Sequence, residues 1–498
     1  MKTLLYLSLT LAACRLFAQP PNPAWRHLPP DAAAIYHFNL AALTDKIPWY
    51  ALAAPIPAPQ HNTNNRELVA ILKTPDIAGV DVRHDLFIIQ SGTGPKDTAE
   101  TTSFLFQLAD TARWTAFLKK QDPGLHLLTR GADTSSASHD KASSTVQDKA
   151  SPVSHDPVVY AGRDKMGVAW NNQFVVLTFV HSQPQTGETR RIAIRRSLAI
   201  LKGYDDSSRI HDPLFLTGFG NDGDIHAWTR HGELLYAFLN FLLPSNHPFV
   251  TRATPANGPC LHTLSTVRFE KGRITLSSLI CLPPGADSIY ALLIDHPLSA
   301  NIATRLPQTA TLGLCTFHFN PGLLADLLTE LQTRGATEEL LFDKGLSLES
   351  FVHGFQGDFA VIATHSEAAR GPLPLTLSFA ASTLDPPAVR QWTNSLHPSG
   401  CTLRDSLLWI GRLPDSTQSP NIALPARLRD PAIPLSGWLD CKTLSQYWKG
   451  LPLLSVMDKL TFTAGRLNAT GQIENNFELT LTDSRAYSLQ TLWPLLGP

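Results

Sequence analysis

Histidine, phenylalanine and asparagine run together twice, in IYHFNLAAL (Ile35–Leu43) and in CTFHFNPGLL (Cys315–Leu324). An imidazole ligates metals and moves protons near neutral pH, so His37 and His318 are the first residues to test for chemistry. A metal site needs further ligands converging on the same point. None follows either histidine at strand or helix spacing. On an extended strand Ile35, His37 and Asn39 share one face, and Tyr36, Phe38 and Leu40 share the other. The aromatic side is expected to be the core, which leaves the His/Asn side to solvent, a helix or a neighbouring strand. Asn39 and Asn320 stand where a helix should begin and are expected to cap it. Both histidines are therefore read as structural.

Other stretches fail the same test. GFGNDGDIH (Gly218–His226) combines glycines and acids but lacks the spaced oxygen ligands and distal glutamate of a calcium loop, so it reads as a tight turn before a strand. GTGPK (Gly92–Lys96) follows an apolar strand but lacks the Gly-Lys-Ser/Thr ending of a phosphate loop. SHDP (Ser154–Pro157) and IHDP (Ile210–Pro213) place His beside Asp, where neighbours on an extended chain point apart and build no triad. G-x-S-x-G and H-E-x-x-H are absent. RRIAIRR (Arg190–Arg196) spreads its arginines around a helix and reads as a solvated start. The reading assigns no catalytic, metal-binding or cofactor-binding residue.

Six cysteines occur and no C-x-x-C, which excludes the usual zinc patterns. CLHTLSTVRFEKGRITLSSLIC reads as two strands around a turn at Glu270-Lys271. If Phe269 faces Gly272, Cys260 faces Cys281. Two readings stand: a cross-strand disulfide, or two buried thiols separated by a register shift.

The elements that would carry these residues repeat. LPPDAAAIYHFNLAALTDKI from Leu28 matches LPQTATLGLCTFHFNPGLLADLL from Leu306. Downstream, HDLFIIQ (His84–Gln90) matches GDFAVIAT (Gly357–Thr364), and strand-break-helix segments follow that carry Trp114 and Trp392. GDIHAWTRHGELLYAFLNFL and PLSGWLDCKTLSQYW, with Trp228 and Trp438, each precede a long hairpin and a leucine-rich segment. Strands that follow one another with few crossover helices favour antiparallel pairing. The expected fold class is α+β: two tandem duplicated halves, 20–300 and 301–498, each a mainly antiparallel sheet with helices packed on one face. A Ser/Asp/Lys/Ala-rich insertion at about 131–157 is expected to be a disordered loop.

The N-terminus, MKTLLYLSLTLAACRLFAQPP, reads as an export signal, being too short to span a bilayer. Cleavage before Gln19, leaving 1–18 as signal peptide, is the favoured reading. LAAC ending at Cys14 offers the alternative, a lipoprotein signal with lipid attached at Cys14. No later run is long and apolar enough for a transmembrane span, LLYAFLNFLLP (Leu234–Pro244) being the nearest. Forty-one basic residues balance forty-two acidic ones, for a net charge of −1. No global field attracts nucleic acid.

The segments LPPDAAAIYHFNLAALTDK, DIAGVDVRHDLFII, GDIHAWTRHGEL, VRFEKGRITLSS and SLESFVHGFQGDFAVIA together resemble an uncharacterised group of exported proteins and lipoproteins of Bacteroidota, domain of unknown function 4836 (DUF4836). GVD, FEKG and GDFAVIA carry the resemblance most specifically. It implies an exported protein and supplies no catalytic residues. Residues and resemblance together lead to the expectation of a periplasmic or outer-membrane-associated protein. The expected role is non-catalytic binding or scaffolding, with an envelope protein, lipid or glycan as partner and no cofactor. The alternative is a hydrolase-type enzyme whose site assembles only in three dimensions.

Overall fold

The computed structural model describes residues 23–53, 66–91, 99–121, 127–130, 158–163, 165–181, 186–204, 215, 219, 222–230, 262–282, 302, 311–330, 333–365, 375–396, 400–404, 406–411, 433–447 and 452–495. The export segment with Cys14, the GTGPK, SHDP and IHDP stretches, the 131–157 insertion, Leu234–Pro244 and Cys260 lie outside the described residues. The chain divides into two compact units. One holds Met1–Ala41 and Pro57–Asp222, the other Ala42–Ile56 and Gly223–Pro498.

The first unit contains strands β1 (Ala32–Phe38), β2 (Leu86–Ser91), β3 (Thr101–Gln107), β4 (Leu128–Arg130), β5 (Val158–Arg163), β6 (Met166–Trp170) and β7 (Phe174–Val180). They pair antiparallel in the order β1-β2-β3-β7-β6-β5-β4. Strands β6 and β7 read MGVAW and FVVLTFV and are buried at every position. An unbroken run of β-branched and aromatic residues suits a strand covered on both faces. Helix Thr186–Lys202 seats directly on them: a Cβ on Gly167 would stand 2.4 Å from the carbonyl carbon of Ala193. From this helix Ser197 Oγ donates to the Gly167 carbonyl at 3.1 Å and lies 2.9 Å from Thr178 Oγ1, so its buried hydroxyl is satisfied.

The second unit contains β8 (Ile225–Arg230), β9 (His262–Glu270), β10 (Arg273–Cys281), β11 (Thr311–His318), β12 (Phe355–His365), β13 (Leu375–Thr383), β14 (Cys401–Arg404), β15 (Leu407–Ile410), β16 (Leu435–Asp440), β17 (Met457–Leu467) and β18 (Gln472–Leu481). Their antiparallel order is β8-β9-β10-β18-β17-β16-β11-β12-β13-β15-β14.

This architecture corrects the expected fold class. Strands dominate, and the residues 20–300 and 301–498 do not form two α+β halves with a sheet each. β10, from the first stretch, pairs along its length with β18 from the second, from Arg273 opposite Thr480 to Cys281 opposite Gln472. Each long hairpin would otherwise end in an unpaired row of N–H and C=O groups, and joining them satisfies both rows. The helices do not make a packed layer over each half either. Helix Arg334–Phe342 buries none of its side chains, and Leu340 and Phe342 are 71% and 79% exposed. The self-similarity of the sequence appears instead as recurring pairings: β1-β2-β3-β7 has the counterpart β11-β12-β13-β15, and β8-β9-β10 the counterpart β16-β17-β18.

The hairpin register also differs from the expected one. Glu270 lies opposite Arg273 and Phe269 opposite Ile274, which puts His262, not Cys260, opposite Cys281. Lys271-Gly272 makes the turn. Gly272 adopts φ +62°, a left-handed conformation natural for glycine, and a Cβ there would stand 2.5 Å from Ser484 Cα. That local demand sets the register two residues away from the one that would face the cysteines.

Candidate functional site

The two HFN histidines sit on buried faces, the reverse of the expectation. In β1, Ile35 and His37 are buried while Tyr36 and Phe38 are half-buried. In β11, Thr316 and His318 are buried while Phe317 is half-buried. The reason is a partner for each ring. His37 Nε2 lies 3.0 Å from Asp85 Oδ1, and its ring stacks on Phe87 at 4.7 Å. His318 Nδ1 donates to Asp358 Oδ1 at 2.7 Å, and neither side chain has any exposure. A polar ring with a carboxylate beside it tolerates burial that a lone one does not. Asp85 and Asp358 are the matching acids of HDLFIIQ and GDFAVIAT, so the aligned repeats already contained the signal for both pairs. The His318 pair has no access for a substrate. Asn320 fulfils its expected capping role: its Oδ1 accepts from the Gly322 amide at 2.8 Å, at the start of helix Pro321–Glu330.

The acid of GDIH is likewise structural. Asp224 is buried, receives Lys46 Nζ at 2.6 and 2.5 Å on its two oxygens, and accepts the Phe269 amide at 2.5 Å. In the basic cluster, Arg196 is not solvated. It makes a bidentate pair with Asp31 at 2.9 and 2.8 Å and donates to Ser91 Oγ at 2.5 Å. Among the described residues no group of three or more His, Cys, Asp or Glu converges as a metal site would require.

The arrangement with room for a ligand is on the sheet of the second unit. A concavity of about 270 Å³ lies over β9, β10, β18 and β17. The pairing defines its floor. Arg268, Thr275, Glu478 and Thr461 form one cross-strand row. Thr266, Ser277, Asn476 and Thr463 form the next. Val267, Leu276, Phe477 and Phe462 form the row between these two, and the rings of Phe462 and Phe477 stack at 6.1 Å. Toward the flanks the polar face is closed. His226 and Trp228 are buried on β8, and Ser436 and Trp438 are buried on β16. Lys459 Nζ stands 4.9 Å over the Trp438 ring. The result is a polar trough with buried shoulders, centred on the β10–β18 seam.

Its charges are unevenly compensated. Arg273 Nε donates to Glu270 Oε2 at 2.6 Å, and that bond raises the Arg273 pKa, with Glu478 adding a weaker pull in the same direction. Arg268 is half-buried, and no described residue forms an ion pair or hydrogen bond with its side chain. Among the described residues no His or Cys lines the trough, and His226 stands buried opposite Thr266 at its β8 flank. Sequence reasoning missed this site because its floor draws on four strands separated by up to two hundred residues. The signal was present as polar residues at every second position in VRFEKGRITLSS and again in KLTFTAG and ENNFELTL.

No family model matches the chain, and no match was found among curated proteins. Among solved structures, crystal form III of TP0453 aligns with 8% identity and a TM-score of 0.28, covering 56% of this chain and 88% of that one. At that level the likeness carries no argument about fold or function.

Proposed function

We propose that this is an exported cell-envelope protein of the DUF4836 kind that works by non-catalytic binding, with the trough over β9, β10, β18 and β17 as its seat. The observation that supports the reading is the trough's lining: serine and threonine hydroxyls, the Asn476 amide, the guanidinium groups of Arg268 and Arg273, the Glu478 carboxylate and the apolar Leu276, Phe462 and Phe477, gathered on one sheet. A hydrolase acting on glycosides would need two carboxylates flanking a bond. Of the two acids near the trough, Glu270 is engaged by Arg273. Export to the periplasm or the outer membrane rests on the N-terminal segment. No helix among the described residues is long and apolar enough to cross a membrane. The test is native mass spectrometry of the protein purified from its own envelope. The reading expects a mass surplus that disappears on denaturation. A bare polypeptide mass that stays bare when envelope extract is added back would count against it.

A further inference from the structure

The trough holds a guanidinium, that of Arg268, with no ion-pair partner among the described residues, and this points to the class of molecule that fits. Resting on the binding reading above, we infer that the trough takes a small hydroxylated carboxylate, of the kind a uronic acid represents, with Arg268 receiving the carboxylate. Three observations carry the inference. First, of the acids on this face Glu270 is bonded directly to Arg273, whereas no described residue forms an ion pair or hydrogen bond with the Arg268 side chain. Arg268 stands across the sheet from Glu478 with Thr275 between them in the row, about 10 Å away at two strand spacings. Second, a guanidinium presents a planar fork of donors that matches a carboxylate, and a half-buried site strengthens that match by excluding water. Third, the remaining floor (Thr275, Ser277, Thr461, Thr463, Asn476) offers hydroxyls and an amide that both donate and accept. These groups complement the hydroxyls of a polyol, while Leu276, Phe462 and Phe477, which also line the trough, offer apolar contact to its C–H faces. The volume, about 270 Å³, is just below the usual range for ligand sites and suits a solute no larger than one sugar.

The experiment is calorimetric titration of the full chain with D-glucuronate and with D-glucose, which differ in the carboxylate alone. Wild-type protein should bind glucuronate, with glucose at least about tenfold weaker. Arg268→Ala should lose glucuronate by about tenfold or more while its melting temperature stays within a few degrees. Arg268→Lys should keep part of the affinity, since it keeps the charge and loses the fork. Thr463→Trp, which fills the trough floor, should abolish both. Equal affinities for the two sugars, indifferent to Arg268→Ala but lost in Thr463→Trp, would overturn the carboxylate assignment and leave trough binding intact. Failure of wild-type protein to bind glucuronate would overturn the inference. The envelope mass measurement would then decide separately whether the trough holds a different molecule.

Discussion

Single residues in this chain illustrate how burial of polar groups is managed. His318 and Asp358 are wholly enclosed and bonded to each other. Replacing His318 with Ala removes the imidazole bonded to a buried carboxylate and should cost about 3 kcal/mol or more, read as a fall in the urea midpoint. Asp358→Asn keeps an acceptor for the imidazole and should cost roughly 1 kcal/mol. Equal losses in the two variants would mean that the pair's charge does not matter. His27 makes a second case, with a pH signature. Its Nδ1 donates to the Ile200 carbonyl at 2.9 Å, and its Nε2 accepts from Arg26 at 3.2 Å, so the ring is held neutral. Burial lowers its pKa to about 4, partly offset by the bond to Ile200. The unfolded chain then binds the extra proton between about pH 6.5 and pH 4, so stability falls as pH drops through that window and is fully present above it. The loss should approach about 3 kcal/mol below pH 4, and His27→Gln should flatten that part of a pH–stability curve. At this scale the sequence was a partial guide. It singled out the two histidines and the Asn320 cap, but took the aromatic face as core. Tyr36 and Phe38 are larger and more apolar, and a histidine joins the buried side only when a partner awaits it, as Asp85 does.

At the scale of elements, turns and close contacts decide the arrangement. Gly272→Ala places a Cβ at a positive φ and against Ser484 Cα, and should lower stability by about 1–3 kcal/mol. An unchanged melting point would show that the hairpin turn can shift to accept a side chain. Lys46 and Asp224 anchor the 42–56 segment to β8 and β9 in the second unit, because Asp224 also holds the Phe269 amide. Lys46→Met should cost about 3–5 kcal/mol by stranding that carboxylate, and Lys46→Met with Asp224→Asn should recover part of the loss, as a double-mutant cycle would read out. Strand positions were legible because apolar alternation is local. The hairpin register was not, because it depends on which residue takes the left-handed turn position, and Glu270-Lys271 and Lys271-Gly272 compete on paper. The role of Asp224 was also hidden, since its cation comes from 178 positions away.

For the whole molecule, the repeated segments were visible in the sequence, but what joins them was not. The β10–β18 pairing links residues some two hundred positions apart, and nothing local in RITLSSLIC selects ENNFELTL as a neighbour over its own hairpin partner. That seam joins β8-β9-β10 to the strands of the 301–498 stretch within the second unit and also creates the trough. We propose that the protein holds its ligand in the trough on this seam. The most direct test compares native masses of wild-type protein and Thr463→Trp, both isolated from the cell envelope and both shown to be folded by their melting curves. The account predicts a mass surplus on the wild type that is missing from Thr463→Trp. The same surplus on both proteins would place the ligand elsewhere and contradict it.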